Sequence, residues 1–147
     1  PRTMQEAPHY EDVVAEVKSF LRERMEVAES CGVAGESIII DPGIGFGKNL
    51  EHNLSLLSNL AALAELRRPV LVGISRKSFI GNILNLEAPD RLEGTIAAAV
   101  VSILNGAHLL RVHDVLAIKR AITVAEAVLS RGAAKISGEG QRNPYVH

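Results

Sequence analysis

Ionisable and hydrogen-bonding side chains follow three apolar runs of this 147-residue chain, in each case where the run ends. Asp41 follows the first run, Ser75 and Lys77 follow the second, and Arg111 and His113 close the third. If the runs are neighbouring parallel strands, these side chains converge at one edge of a sheet. One carboxylate among several cationic groups suits a ligand that combines a hydrogen-bond-donating polar ring with a phosphate. The spacing therefore predicts one binding site built from three separated segments.

The glycine-rich run that follows Asp41 does not match a nucleotide-binding motif. A P-loop requires Gly where this chain has Pro42, and Ser or Thr after Lys48, where this chain has Asn49. The glycines are spaced G-x-G-x-G, which also departs from the dinucleotide-binding pattern. A plain strand-to-loop turn remains the alternative interpretation of residues 41–43.

A serine-nucleophile site is not indicated either. Ser75 lacks the closing glycine of a nucleophile elbow. A triad of Ser75, His113 and Asp114 is excluded because adjacent residues of a strand point to opposite faces. His108, inside or just before the third strand, is more typical of the core or of a strand edge than of a catalyst. No His, Cys or carboxylate pair in the sequence has the spacing of metal ligands.

Alternating helices and short strands are predicted to position these residues. The apolar spacing predicts helices over 11–31, 53–65, 90–105 and 115–130, and strands over 37–40, 70–74 and 108–112. Residues 78–86 suit a short helical piece of a loop, and Asp114 is expected to cap the last helix. The strands begin about 32 and 38 residues apart, close to the roughly 31 residues of one (β/α)₈-barrel unit. Three parallel strands are too few for a barrel or a doubly wound sheet, so further strands must come from elsewhere.

Composition excludes several classes of protein. The chain has 16 Lys and Arg against 17 Asp and Glu, and 47% of its residues are hydrophobic, which excludes disordered and low-complexity chains. The near-neutral charge argues against binding to nucleic acid or to a membrane surface. The longest uncharged stretch, 94–110, is too short to span a bilayer. Cys31 alone cannot form an internal disulfide, so we expect a cytoplasmic protein.

Three segments together carry a specific resemblance to a known family. They read DPGIGFGKN over 41–49, GISRKS over 73–78 and RVHDV over 111–115. These segments resemble the signature segments of dihydropteroate synthase, and the opening PRTMQ resembles that family's segment after its fifth strand. The resemblance implies a pterin-binding (β/α)₈ TIM barrel of nearly twice this length. Residues 1–132 would be its C-terminal half, with strands six to eight and helices five to eight, followed by a polar C-terminal tail over 133–147.

The resemblance implies a transferase of folate biosynthesis and a sulfonamide target. The family condenses 6-hydroxymethyl-7,8-dihydropterin pyrophosphate with p-aminobenzoate to form 7,8-dihydropteroate and pyrophosphate. By this resemblance Asp41 binds the amino-pyrimidine edge of the pterin, and Lys77 donates to the carbonyl and ring-nitrogen side. Arg111 lies along the ring face and binds the pyrophosphate together with His113. Lys77, Arg111 and His113 are the implied catalytic residues.

The same resemblance assigns two further contacts and names what this chain lacks. Phe46 and Ser75 match positions that line the p-aminobenzoate region. The family's Mg²⁺ and its ligand belong to the N-terminal half-barrel, so no metal ligand is expected in this chain. We expect the chain alone to be inactive and to associate with that half or with another copy. The family's homodimer forms through its late helices, and residues 96–104 are the expected contact.

Two other functions stay open at this point. A pterin-dependent methyltransferase module, which passes a methyl group to a corrinoid, would share the pterin-binding Asp41. Residues 75–77 and 111–113 suit a pyrophosphate that such a module does not meet. A non-catalytic pterin-binding half-barrel, completed by a partner, is the alternative from a different class. Substrate binding without turnover would favour this last function.

Overall fold

Helices alternate with a small parallel sheet in the computed structural model, which describes residues 8–136. The helices are α1 (Val13–Ser30), α2 (Leu50–Ser58), α3 (Ser78–Leu84), α4 (Leu92–Leu104) and α5 (Val115–Ile136), and the strands are β1 (Leu71–Gly73) and β2 (Leu109–Arg111). Short 3₁₀ segments lie at Gly35–Ser37, Leu60–Leu66 and Ala88–Asp90. The predicted α/β alternation is confirmed.

β1 and β2 are hydrogen-bonded parallel neighbours, with α3 and α4 in the connection between them. Leu71 pairs with Leu109, and Gly73 pairs with Arg111. Since parallel neighbours end at the same edge of a sheet, the residues that follow Gly73 and Arg111 emerge side by side. The second and third predicted strands are confirmed in position and direction.

The first predicted strand is reduced to a single parallel bridge between Ile40 and Val70. Ile40 donates its N–H to the Pro69 carbonyl (3.0 Å) and accepts the N–H of Leu71 (2.8 Å). Toward the ends of the two segments, the next hydrogen bond of a parallel ladder would need an N–H from Pro42. Toward their beginnings, it would need an N–H from Pro69. Proline has no N–H, so the ladder stops in both directions. The sheet described here therefore has two strands, not the three that the sequence predicts.

The apolar core lies between the sheet and the helices that pack on it. Val72 and Ile74 are 0% exposed at its centre. The other fully buried large side chains of the core are Ile44, Leu56, Leu60, Leu63 and Val70. Thr95 and Ser102 are buried polar residues of α4. Each donates a hydrogen bond from its hydroxyl to the backbone carbonyl four residues earlier in the chain.

Several helix boundaries differ from the predictions. α2 begins three residues earlier than expected because the side chain of Asn49 caps it, accepting the N–H of His52 at 2.8 Å. The predicted helix over 53–65 then ends as the 3₁₀ segment Leu60–Leu66. The ambiguous stretch after Lys77 contains α3. α5 continues to Ile136, six residues beyond the helix end predicted at residue 130.

Segments at both ends lie outside the described residues. They are the opening PRTMQ, whose resemblance was noted above, and residues 137–147, which form most of the predicted tail. Within residues 8–136, no helix has both the length and the apolar character needed to cross a membrane.

Candidate functional site

Glycines and an aspartate shape the segment over residues 41–49, which we call the glycine loop. Asp41 accepts the backbone N–H of Gly43 at Oδ1 (2.8 Å) and so closes the start of the loop. Gly43, Gly45 and Gly47 have φ angles of 71°, 79° and 58°, in the left-handed region that side-chain-bearing residues avoid. The G-x-G-x-G spacing thus encodes three left-handed positions.

Asn53 anchors the glycine loop to α2 and was missed by the sequence reasoning. Its side chain is 2% exposed, accepts the N–H of Gly45 at Oδ1 (2.6 Å), and donates from Nδ2 to the carbonyl of Asn49 (2.7 Å). The sequence holds one signal for this role: Asn53 lies one helical turn before the buried Leu57 and so shares the apolar face of α2. A polar residue on the apolar face of a helix needs a specific buried partner.

Lys48 closes the glycine loop from the other side. Its Nζ donates to the carbonyls of Gly43 (3.1 Å) and Phe46 (3.0 Å). Burial lowers the pKa of Lys48, and the nearby Asp41 carboxylate opposes that shift. Lys48 therefore acts as an internal brace of the loop, with its ammonium group occupied by backbone carbonyls.

The segment over residues 75–78, which we call the β1 loop, joins β1 to α3. Ser75 is 8% exposed, its Oγ lies 2.9 Å from Nδ1 of His113, and it accepts the backbone N–H of His113 at 3.2 Å. Ser75 therefore ties the ends of the two strands together. The carboxylate of Asp114 instead receives both Nη2 (3.0 Å) and Nε (3.2 Å) of Arg76. The carboxylate of Asp114 is thus paired with Arg76, while His113 is paired with Ser75.

Lys77 connects the β1 loop to the glycine loop. Its Nζ lies 3.8 Å from the ring centroid of Phe46, a cation–π contact, and its alkyl chain crosses directly over Gly45. Burial lowers the pKa of Lys77 and the guanidinium of Arg111 lowers it further, while Asp41 raises it. The carboxylate of the glycine loop and the arginine of β2 therefore have opposite effects on the pKa of Lys77.

Arg111 completes a small depression at the carboxyl edge of the sheet. Its guanidinium lies over Gly73, where an added Cβ would come 3.1 Å from Nη2, so the glycine makes room for it. The depression holds about 280 Å³ and is lined by Gly73, Ser75, Lys77, Arg111, Val112 and His113. Four of the six lining residues carry cationic or hydrogen-bonding side chains, which suits an anionic or polar planar ligand.

The structure thus brings most of the predicted site residues together. Ser75, Lys77, Arg111 and His113 share one depression, and Phe46 contacts Lys77. The carboxylate of Asp41 is not among the lining groups, and it reaches the depression through its electrostatic effect on Lys77. Which substrate groups these side chains bind stays a prediction.

Two further predictions concern histidine and metal. Nδ1 of His108 accepts the N–H of Val70 at 3.2 Å, which confirms that His108 belongs to the strand edge. Among the side chains that the structure describes, no group of three or more His, Cys, Asp or Glu is arranged to hold a metal ion. Near the depression, Asp41 is a single carboxylate among cations, so these residues do not by themselves fit Mg²⁺.

Comparison with known proteins identifies relatives with the same segments. A family model described as "Pterin binding enzyme" matches residues 1–113. Dihydropteroate synthase of Escherichia coli K12 is 51% identical over 130 residues, which cover 88% of this chain and 46% of that protein. Dihydropteroate synthase of Haemophilus influenzae is 44% identical over 127 residues, 86% of this chain and 46% of that protein. The chain therefore spans about half the length of the curated relatives it matches.

Solved structures give the same result. The Yersinia pestis dihydropteroate synthase, crystallised with a sulfonamide drug complex, superposes with a TM-score of 0.86 at 40% identity, over 88% of this chain and 47% of that one. The Xanthomonas albilineans enzyme in complex with 7,8-dihydropteroate superposes with a TM-score of 0.81 at 49% identity, over 83% of this chain and 47% of that one. The match to the family model, over residues 1–113, includes both loops of the site.

Proposed function

Since the chain belongs to the pterin binding enzyme family, we propose that it forms the C-terminal part of a dihydropteroate synthase. The reaction joins 6-hydroxymethyl-7,8-dihydropterin pyrophosphate to p-aminobenzoate and releases pyrophosphate. One observation carries the proposal: Lys77 bridges the glycine loop and the β1 loop directly beside Arg111 and His113. This arrangement offers a polar planar ring a group of cations in the depression, and the carboxylate of Asp41 belongs to the adjoining glycine loop.

The residues of the depression, together with Asp41 and Phe46 of the neighbouring glycine loop, divide the substrate between them. Asp41 presents two carboxylate acceptors to the parallel N–H donors of the amino-pyrimidine edge. Lys77 donates to the carbonyl and ring-nitrogen side of the pterin. Arg111 and His113 are two residues apart at the end of β2 and therefore share a face, from which both reach the pyrophosphate. Phe46 packs against the p-aminobenzoate ring, beside Ser75.

The chemistry assigned to these residues is electrostatic. The bond between the pterin methylene and the pyrophosphate oxygen breaks, and the bonding electron pair leaves with the pyrophosphate. The amine of p-aminobenzoate then forms the new C–N bond to the methylene and loses a proton. Arg111 and His113 stabilise the leaving anion, while Asp41 and Lys77 hold the ring in place. No side chain of this chain forms a covalent intermediate.

Assembly with a complementary half completes the proposal. Three parallel units of a (β/α)₈ barrel leave an unpaired edge on β2 and helices without their neighbours, and such edges associate. On α5, Val115, Leu116, Val124 and Val128 are between 63% and 67% exposed, an apolar surface that suits burial against further barrel helices. The N-terminal half-barrel is the proposed partner and supplies the Mg²⁺ site. A homodimer through α4, which exposes Val101 and Leu104, and a cytoplasmic location are part of the same proposal.

A complementation assay tests this function. The chain, the N-terminal half of the E. coli enzyme, and the two together are supplied with both substrates and Mg²⁺, and dihydropteroate is quantified. We expect product only from the mixture, and its loss when the chain carries Lys77→Met. Arg22→Met, on the exposed face of α1, is the matched control and should retain activity. Turnover by the chain alone would contradict the half-barrel proposal. Pterin binding by the mixture without turnover would favour the non-catalytic alternative.

A further inference from the structure

Arg76, in the middle of the β1 loop, has a backbone conformation that needs external support. Its φ is 57°, in the left-handed region, although it carries a Cβ. That conformation is unfavourable in a residue other than glycine, because its Cβ comes close to the following carbonyl oxygen. Lys77 follows directly in the chain, so the backbone conformation of Arg76 sets the direction in which the side chain of Lys77 leaves the β1 loop. Whatever holds Arg76 in place therefore also aims Lys77.

Both backbone polar groups of Arg76 are bound by side chains from the start of α4. Its N–H donates to Oγ1 of Thr95 (3.1 Å), and its carbonyl accepts Nη1 of Arg91 (2.9 Å). Thr95 is 0% exposed, and its hydroxyl donates in turn to the carbonyl of Arg91 (2.7 Å). Arg91 also donates from Nε to the carbonyl of Leu86 (2.9 Å). The left-handed residue is thus held at both ends of its own backbone.

The fold makes room for this arrangement at Gly81 in α3. A Cβ added at Gly81 would overlap the guanidinium of Arg91. The glycine is buried and helical, so its role is not a left-handed turn. Because Gly81 has no side chain, the guanidinium of Arg91 can occupy that space next to the β1 loop. This contact supports the arrangement independently of the hydrogen bonds.

We propose that Thr95 and Arg91 are positioning residues that aim Lys77 at the pterin by holding Arg76 in its left-handed conformation. Neither residue lines the depression, and each acts only through the backbone of the β1 loop. The assignment of pterin as the ligand of Lys77 rests on the function proposed above. The geometry of the loop does not depend on that assignment.

Thr95→Val tests the proposal because it keeps the shape of the side chain and removes the hydroxyl. In the complemented enzyme, we expect KM for the pterin pyrophosphate to rise about tenfold, since small misplacements of a binding group are costly. The value of kcat should change by less than about twofold. A purely structural defect would lower the fraction of active enzyme and leave KM unchanged. Thr95→Ser restores the hydroxyl and should restore KM.

A second readout follows the amine of Lys77 without using activity. NMR titration of its Nζ reports the pKa, which burial and Arg111 lower in the native loop and Asp41 opposes. Release of the loop by Thr95→Val should move the pKa of Lys77 upward, toward its ordinary value. If the wild-type mixture shows no turnover, the proposed function fails, and this titration still decides whether Thr95 positions Lys77.

Two further variants separate positioning from general damage to α4. Ser102→Ala removes the other fully buried hydroxyl of α4, which does not contact the β1 loop, and should change neither KM nor the pKa of Lys77. Arg91→Gln removes the second support from a partly exposed position and should reproduce the effects of Thr95→Val, even if Thr95→Val fails to fold. Unchanged KM and pKa in folded Thr95→Val or Arg91→Gln, or equal effects from Ser102→Ala, would overturn the proposal.

Discussion

The glycine loop and the β1 loop bring side chains to the same depression, but they are held in different ways. The hydrogen bonds of the glycine loop described above join residues no more than eight apart along the chain, as in the contact between Gly45 and Asn53. The β1 loop is fixed by partners much further away, at Arg91, Thr95 and Asp114, between 15 and 38 residues along the chain. The first loop is therefore built locally, and the second depends on packing of the whole domain.

This difference has consequences for stability and for function. A locally built loop forms its contacts at small cost in loop-closure entropy, so its shape survives changes elsewhere. A loop held from a distance moves when the elements that support it move. Lys77 belongs to the second kind of loop but contacts Phe46 of the first. The depression is thus sensitive to both, and the two loops can be perturbed separately.

The largest expected effect comes from Gly45→Ala, which should break the contact between the loops. The left-handed φ of 79° and the alkyl chain of Lys77, 2.9 Å from the added Cβ, both oppose an alanine there. We expect pterin affinity to fall about 100-fold, because Lys77 must move. Gly43→Ala is the matched control, since its φ of 71° imposes the same strain and its Cβ contacts only Lys48, at 3.5 Å. Calorimetric titration with the pterin substrate should show the large loss for Gly45→Ala alone.

A smaller effect is expected from Asp114→Asn, which weakens the long-range support of the β1 loop. The bidentate pair with Arg76 is about one-third exposed, so its loss should lower the free energy of unfolding by about 1 kcal/mol. Added salt should reduce this difference. Glu65→Gln breaks the more exposed, single contact to Lys18 (3.1 Å) and should cost less. Chemical denaturation of both variants measures the difference, and equal costs would argue against a special role for the Arg76 pair.

The smallest effect distinguishes the lysines of the two loops. Arg111→Gln should raise the pKa of Lys77, because Arg111 is one of the groups that lower it, and leave the pKa of Lys48 unchanged. Between the lowered pKa of the folded state and the ordinary value of 10.5, Lys77 binds fewer protons in the folded chain than in the unfolded chain. The free energy of unfolding therefore rises with pH across this window. Arg111→Gln should make the rise shallower. NMR titration of both amines measures the shifts, and a parallel shift of Lys48 would contradict the separation of the loops.

The same contrast explains how much of the fold and site could be predicted from the sequence. The strand ends that carry Lys77, Arg111 and His113 follow from apolar runs and turn residues, which are local signals. The left-handed turns of the glycine loop are also local. By contrast, Pro42 and Pro69 shorten the first strand only because the bridge between Ile40 and Val70 puts them where the next backbone N–H donors of the ladder would be needed. That pairing register is not a property of either segment alone.

Supporting residues were harder to find from the sequence than the site residues themselves. Asn53, Arg91 and Thr95 carry no motif, and their role appears only when α2 and α4 are packed against the loops. A buried polar residue on an apolar helix face is the usable signal for Asn53 and Thr95, which are 2% and 0% exposed. Arg91 has no such signal, because its partners lie on the backbone of a loop about 15 residues earlier in the chain.

Binding of 6-hydroxymethyl-7,8-dihydropterin pyrophosphate to the complemented protein tests the central claim most directly. Titration calorimetry compares the wild type with Asp41→Asn and with Glu36→Gln, an exposed carboxylate outside the site. We predict binding that weakens about 100-fold in Asp41→Asn, because two charge-assisted hydrogen bonds to the ring are lost, and no change in Glu36→Gln. Equal affinity of the wild type and Asp41→Asn would contradict a pterin site at the edge of this sheet.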